Sequence, residues 1–189
     1  MEKIADAVLL AWYPGEEGGN AVADILFGDA NPAGRLPVTF YRSTTDLPPF
    51  EDYSMKERTY RYFTGKPTHP FGFGLSYTSF SYSLISATED PYRFKIKITN
   101  TGKMDGDEVV QLYLRKLDDP NRPMKELKKY EKVSIKKGMS RTIELGLSAD
   151  DMEYWNEKTK KYEISSGEYE VMIGSSSEDI RLRHRFTIQ

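Results

Sequence analysis

The sequence contains no cysteine and only two histidines, His69 and His184. Disulfide stapling and thiol catalysis are therefore excluded, and a histidine-based metal site has too few ligands to draw on. Long hydrophobic runs are missing too. The longest, Ala7 to Tyr13, is far shorter than the roughly 20 apolar residues a membrane-spanning helix needs. Glu2 and Asp6 flank that run, which is not the basic-then-apolar pattern of a signal peptide. Neither sign of charge dominates: 27 basic against 29 acidic residues leave a net charge of −2. Nucleic acid and anionic membrane are thus not expected as partners. The glycines between residues 15 and 19 lack the Lys-Ser/Thr of a phosphate-binding loop and the G-x-G-x-x-G spacing. No cofactor is expected.

What the chain does have is aromatic side chains, 13 Tyr and 9 Phe in 189 residues. They favour strands, and the length allows one domain plus a smaller unit, or two small domains. Ala7-Val8-Leu9-Leu10-Ala11-Trp12 reads as a strand apolar on both faces, as in a parallel sheet. Pro14 to Gly19 breaks it. Val22, Ile25 and Leu26 then recur at helical spacing, with Gly28 placed as a C-terminal cap. A strand of that kind needs neighbours on both edges and helices on both sides. The chain offers one helix and no second such strand, so the rest of an α/β layer is expected upstream.

Residues 29–80 carry turn signals at Asn31-Pro32-Ala33-Gly34 and Leu47-Pro48-Pro49 and little periodicity. So long an irregular stretch reads as a connector or a functional loop. Beyond Ser81 the pattern becomes alternating. Tyr92, Phe94, Ile96 and Ile98 alternate with Arg93, Lys95 and Lys97. Further strands are expected at Val109–Leu114, around Val133 and Ile135, over Ile143, Leu145 and Leu147, at Tyr169–Ile173 and at Ile180–Ile188. The expected fold class is mainly β: an antiparallel, immunoglobulin-like sandwich, preceded by a partial strand–helix unit and a long irregular connector.

Three segments, residues 14–41 (PGEEGGNAVADILFGDANPAGRLPVTFY), 53–80 (YSMKERTYRYFTGKPTHPFGFGLSYTSF) and 98–114 (ITNTGKMDGDEVVQLYL), resemble the C-terminal part of glycoside hydrolase family 3. That family comprises retaining β-glucosidases and β-xylosidases. The resemblance implies a barrel domain and most of an α/β domain upstream as the chain's partners. It divides the chain into the end of the α/β sandwich (1–45), a connector (46–80) and a fibronectin type III-like domain (81–189). Met55 to Phe63 looks more like the β-xylosidase branch, with the β-glucosidase branch still open. His69 and Glu57 depart from the residues usual at their positions. The implied parent is bacterial, periplasmic or secreted, and removes terminal β-linked xylose or glucose from oligosaccharides.

Retaining glycosidases need two carboxyl groups roughly 5–5.5 Å apart. In the family they lie on the barrel and on the α/β domain ahead of the PGEEGG-like segment, so the resemblance implies no catalytic residue here. Glu16 and Glu17 read as acids favoured by a helix N-terminus, with a catalytic or sugar-binding carboxylate as the competing reading. Asp52, Glu57, Tyr60, Arg61 and Tyr62 form a charged, aromatic cluster. It reads as an interdomain strut, or as a pocket rim once the other domains are in place. The candidate substrate-binding residues, dependent on those domains, are Glu17, Glu57, Tyr60 and Arg61.

Pro70 to Tyr77 reads as a structural hinge. Asp105, Asp107 and Glu108 read as a solvated hairpin, with calcium as the competing reading. Lys125 to Lys137 reads as a solvated charged stretch, and Arg181, Arg183 and Arg185 as the wet face of an edge strand. The chain by itself is expected to be inactive, with self-association through residues 1–45 open to it. The rival reading is a stand-alone carbohydrate-binding or protein-interaction sandwich, marked by a coplanar row of exposed aromatics on one sheet face; the sequence shows no obvious one, because the sandwich tyrosines mostly fall on the apolar phase.

Overall fold

The computed structural model describes residues 5–89 and 92–189. The reading of Glu2, and the first four residues of the 1–45 unit, lie outside them. The centre of mass of the fold is a sandwich of two antiparallel sheets. One holds β1 (Phe80–Glu89), β2 (Tyr92–Asn100) and β5 (Ser140–Gly146) in the order β1-β2-β5. The other holds β4 (Glu126–Ile135), β3 (Gly106–Lys116), β8 (Gly167–Gly174) and β9 (Ile180–Ile188) in the order β4-β3-β8-β9. A separate two-stranded ribbon pairs β6 (Tyr154–Asn156) with β7 (Lys161–Glu163).

Strand period explains the core. In β2, Phe94, Ile96 and Ile98 are fully buried while Arg93, Lys95 and Lys97 face out. Val110, Leu112 and Leu114 of β3, Ile143 and Leu145 of β5, and Val171 and Ile173 of β8 meet them from the neighbouring strands. Asn100 ends β2 as a buried polar tie. Its Nδ2 donates to the carbonyls of Met104 (2.7 Å) and Ile135 (3.0 Å), and its Oδ1 accepts from Thr78 Oγ1 (2.6 Å). Every polar atom of that amide is thereby occupied at the sandwich end.

Two sequence expectations change. Ala7–Trp12 forms no strand, and its side chains are exposed. A strand exists only by its ladder, and among the described residues none pairs with it. Lys125 to Lys137 is mostly β4, the edge of the larger sheet. Its charges are partly sequestered, since Lys125 Nζ donates to the Ser177 carbonyl and Lys128 is only 16% exposed. The arginines of β9 are exposed on an edge strand, as expected, and they are paired there. Arg183 and Arg185 both bind the Glu170 carboxylate, at 2.7 and 3.0 Å. Arg181 donates to the Phe80 carbonyl at 2.7 Å and covers the Tyr82 ring.

The helix expected after Pro14-Gly15 is α1 (Gly18–Phe27), closed by Gly28 at φ 83. Among the described residues a 3-10 turn (Thr44–Asp46) and two single-turn α-helices, α2 (Thr59–Tyr62) and α3 (Ala149–Met152), follow.

Candidate functional site

The irregular segment is a strap bound along the outside of the sandwich. Leu36 N–H donates to the Phe73 carbonyl and Gly72 N–H to the Leu36 carbonyl, at 2.9 and 2.8 Å. Phe40 and His69 form an isolated antiparallel bridge. Residues 31–41 and 68–77 thus run beside each other as one layer. Asn31 joins that layer to the sheet end: its Nδ2 donates to the Asp105 carbonyl (2.9 Å), and its Oδ1 accepts from Ser76 Oγ and Tyr77 N–H (both 2.8 Å).

The outer face of β3 lies under the strap. Gln111 Nε2 donates to the Gly72 carbonyl (3.2 Å) and to the Ser175 carbonyl (2.5 Å). Ser177 N–H donates to the Phe71 carbonyl at 2.9 Å. Gly72 has φ 80, and a Cβ there would run into the Gln111 side chain. Only glycine combines that backbone angle with that approach. The hinge expected at Pro70–Tyr77 is therefore a seal over β3.

Glu108, expected in a solvated hairpin, is 2% exposed. Its Oε1 accepts from Tyr82 Oη at 2.7 Å and its Oε2 from Arg35 Nη2 at 3.2 Å. Burial pushes the carboxyl above its ordinary range, while the Tyr82 hydrogen bond and Arg35 pull the other way. Burial and the facing carboxylate likewise push the Tyr82 hydroxyl up. Arg35 was not singled out from sequence; a lone arginine in a Pro-Gly-rich stretch carries no periodic signal. Asp107 is held by Ser134 (2.6 Å) and Lys132 (2.9 Å), which lower its pKa. Asp105 accepts from Lys137 N–H at 2.8 Å. These acids serve strand ends. Among the described residues no group of His, Asp or Glu is arranged to hold a metal ion.

The four candidate sugar-binding residues are not brought together. Glu17 is the exposed N-cap residue of α1, and its side chain accepts from Asn20. Glu16 is exposed in the same turn. Glu57 turns back on its own loop, accepting from Thr64 N–H and Thr64 Oγ1, both at 2.9 Å. Those bonds hold its carboxyl below the usual range. Tyr60 faces inward. Its ring stacks on Phe71 at 4.3 Å and meets Tyr113 edge-on at 5.9 Å, and its hydroxyl accepts from Leu127 N–H at 3.0 Å. Arg61 pairs with Glu126 at 3.5 Å, and its carbonyl accepts from Met124 N–H at 2.8 Å. Tyr60 and Arg61 thus grip β4 and β3.

Strain gathers around this loop. Glu57 and Thr59 have φ of 55 and 57, a costly angle for side chains with a Cβ, above all a branched one. Thr59 N–H donates to Tyr41 Oη at 2.6 Å. The Arg58 guanidinium donates to the Ser54 and Asp52 carbonyls, at 3.1 and 2.6 Å. The loop is thereby closed on itself, leaving Phe50 and Tyr53 86% and 88% exposed. Trp12 also has positive φ, 52, and its ring lies 6.5 Å from Phe40. Val8, Leu9, Leu10, Tyr13, Leu26 and Phe27 stand exposed nearby in the chain.

Residues 1–77 match the model of the glycosyl hydrolase family 3 C-terminal domain, and residues 108–177 that of a fibronectin type III-like domain. The chain is 48% identical to a xylan 1,4-β-xylosidase of Xylanibacter ruminicola, over 94% of the chain and 21% of that protein. It is 36% identical to a periplasmic β-glucosidase of Salmonella typhimurium, over 94% of the chain and 26% of that protein. Among solved structures, β-glucosidase 3B from Thermotoga neapolitana superposes with a TM-score of 0.88 at 33% identity, over 100% of this chain and 29% of that one. The β-glucosidase of Kluyveromyces marxianus in complex with glucose superposes with a TM-score of 0.86 at 36% identity, over 94% and 24%. The chain thus spans between about a fifth and a third of the length of these relatives.

Proposed function

We propose, for a chain that belongs to the C-terminal region of glycoside hydrolase family 3, that it is the non-catalytic docking end of a larger retaining, exo-acting β-glycosidase. The observation that carries this reading is the segment Val8 to Tyr13. It is apolar, exposed and without a strand partner among the described residues, while the strap behind it is fastened to the sandwich through Asn31, Arg35 and Tyr60. A strand apolar on both faces becomes stable only between neighbouring strands and beneath helices. The upstream barrel and α/β domain would supply them. A second copy of the chain, covering residues 1–45, is the competing occupant.

The division into residues 1–45, 46–80 and 81–189 belongs to this reading. In it the first unit completes the α/β layer, the second is the strap and the third is the sandwich that holds it. The parent would release terminal β-linked xylose or glucose from oligosaccharides, and the 48% identity to a xylosidase favours xylose. A periplasmic or secreted bacterial parent is in keeping with the periplasmic relative. Tyr60 and Arg61 act as strut residues in this scheme, because the Tyr60 hydroxyl and one guanidinium nitrogen of Arg61 are already engaged by β4. Glu17 and Glu57 could face sugar only with the other domains assembled.

The test is an assay of the purified chain with aryl β-xyloside and aryl β-glucoside. No turnover is expected. Sustained turnover, abolished by Glu16→Gln or Glu17→Gln, would overturn the non-catalytic reading.

A further inference from the structure

Trp155 and Tyr162 face each other across the β6–β7 ribbon. Their rings lie 5.4 Å apart at an angle of 65°, with 44% of Trp155 and 67% of Tyr162 exposed. Among the described residues no third strand joins this ribbon, and a two-stranded ribbon alone is marginally stable. It is anchored from its other side. Successive strand residues point to opposite faces, and Tyr154, next to Trp155, is covered by the Arg122 guanidinium at 3.8 Å. The preceding turn is tied down by Lys129 Nζ, 2.8 Å from Asp151. One face is therefore docked on the sandwich end, and the other presents two aromatic rings to solvent.

The polar group beside the rings is fixed: Trp155 Nε1 donates to Glu157 Oε1 at 2.9 Å. On the docked face, Asn156 Nδ2 donates to Glu163 Oε2 at 2.8 Å and ties the two strands together. The patch has no net charge: Glu153, Glu157 and Glu163 balance Lys158, Lys160 and Lys161, and Lys160 pairs with Glu157 at 2.6 Å. A neutral patch exerts no pull on nucleic acid or on an anionic membrane. Two rings are also far too little area for a stable protein interface, which buries about 800 Å² on each partner. What fits is a small neutral ligand with apolar faces and a hydroxyl rim. The faces stack on the rings, and the hydroxyls meet the fixed Glu157 carboxylate.

We propose that Trp155 and Tyr162 form a binding site for a neutral, β-linked oligosaccharide. The 65° between the rings suits a chain whose successive sugar units are rotated relative to one another. The choice of β-linked sugars rests on the glycosidase reading above. The site itself lies on the sandwich, away from the apolar segment to which the docking role is assigned, and it needs no catalytic group.

The experiment is a titration of the full 189-residue chain, isotopically labelled, with xylotetraose and with cellotetraose, followed by NMR. Saturable shifts are expected at the Trp155 indole N–H and at the amides of residues 154–163, with Trp12 unaffected. Trp155→Ala and Tyr162→Ala should each weaken binding about tenfold or more. Tyr162→Leu keeps an apolar partner for Trp155, and with it the ribbon, but removes a stacking face. It should weaken binding by a similar factor while the β2 and β3 amides stay in place. No saturable shift with either sugar, shifts that map elsewhere, or unchanged affinity in Tyr162→Leu would overturn the proposal. The hydrolysis assay that tests the docking reading is independent of all three outcomes.

Discussion

Arg35 and Glu108, 73 residues apart, meet at 3.2 Å with side chains only 9% and 3% exposed. This pair locks the strap to the first residues of β3, and Tyr82 of β1 completes the Glu108 shell. A buried pair adds little over a well-packed apolar pair, but removing one partner strands the other in low dielectric. Glu108→Ala should therefore destabilise the chain by about 3–5 kcal/mol in urea unfolding. Glu108→Gln keeps an acceptor for Tyr82 and fills the same space, but it too strands the Arg35 charge, so it should cost nearly as much. A markedly smaller loss for Glu108→Gln would mean that the vacated space carries the effect rather than the charge.

The role of Tyr60 separates strut from sugar contact. Tyr60→Ala removes the stack on Phe71 and the acceptor for Leu127 N–H. It should cost about 2–3 kcal/mol, whereas Tyr60→Phe, losing only the hydroxyl, should cost about 1 kcal/mol. Hydrogen exchange at the Leu127 amide should accelerate in both variants. An unchanged Leu127 amide in Tyr60→Ala would contradict the strut.

Gly72→Ala places a Cβ at positive φ and against the Gln111 side chain. It should destabilise the chain by about 2 kcal/mol through strain and overpacking. Gly138, also at positive φ but with open space around its Cβ position, should tolerate alanine better. Thermal denaturation of the two variants side by side makes the comparison.

Acid sensitivity follows from the paired aspartates. Hydrogen bonds from Arg181 lower the Asp179 pKa from the usual 3.8, and bonds from Ser134 and Lys132 do the same for Asp107. A depressed folded-state pKa contributes stability that is complete above the unfolded value and lost as pH falls through the folded one. The loss should therefore appear below about pH 4. Glu108 has the opposite sign: its raised pKa favours the folded state at low pH, and that contribution fades as pH rises through the folded value. Asp179→Asn should flatten the acid limb of a urea-midpoint profile between about pH 4 and pH 2. An acid limb as steep as that of the parent chain would show that Asp179 has no part in it.

The sandwich was legible wherever strands are long and one-sided. The alternation in Tyr92–Ile98 and Ile180–Ile188 matches β2 and β9, because the side-chain period survives when one face is wet. β1 was not picked out as a strand: Phe80–Glu89 has Ser at most outward positions and a register shift after Leu84, which breaks the period. The ribbon strands, Tyr154–Asn156 and Lys161–Glu163, are too short to show one. At the strap, sequence showed the aromatic and charged residue types but not their direction. Tyr60 and Arg61 read along the chain as a strut or as a pocket rim, and only the fold shows them turned onto β4. Glu108 was misread because its neighbours Asp105 and Asp107 are turn residues, while its own partners lie 26 and 73 residues away.

The central claim is that a fastened strap carries an unpartnered apolar segment. Amide hydrogen exchange on a dilute chain shown to be monomeric tests it most directly. The account predicts rapid exchange from residue 5 through residue 17, with slow exchange at Leu36, Phe40 and Gly72 and throughout β2, β3 and β8. Protection of residues 7–12 matching that of β3, in the monomer, would contradict it.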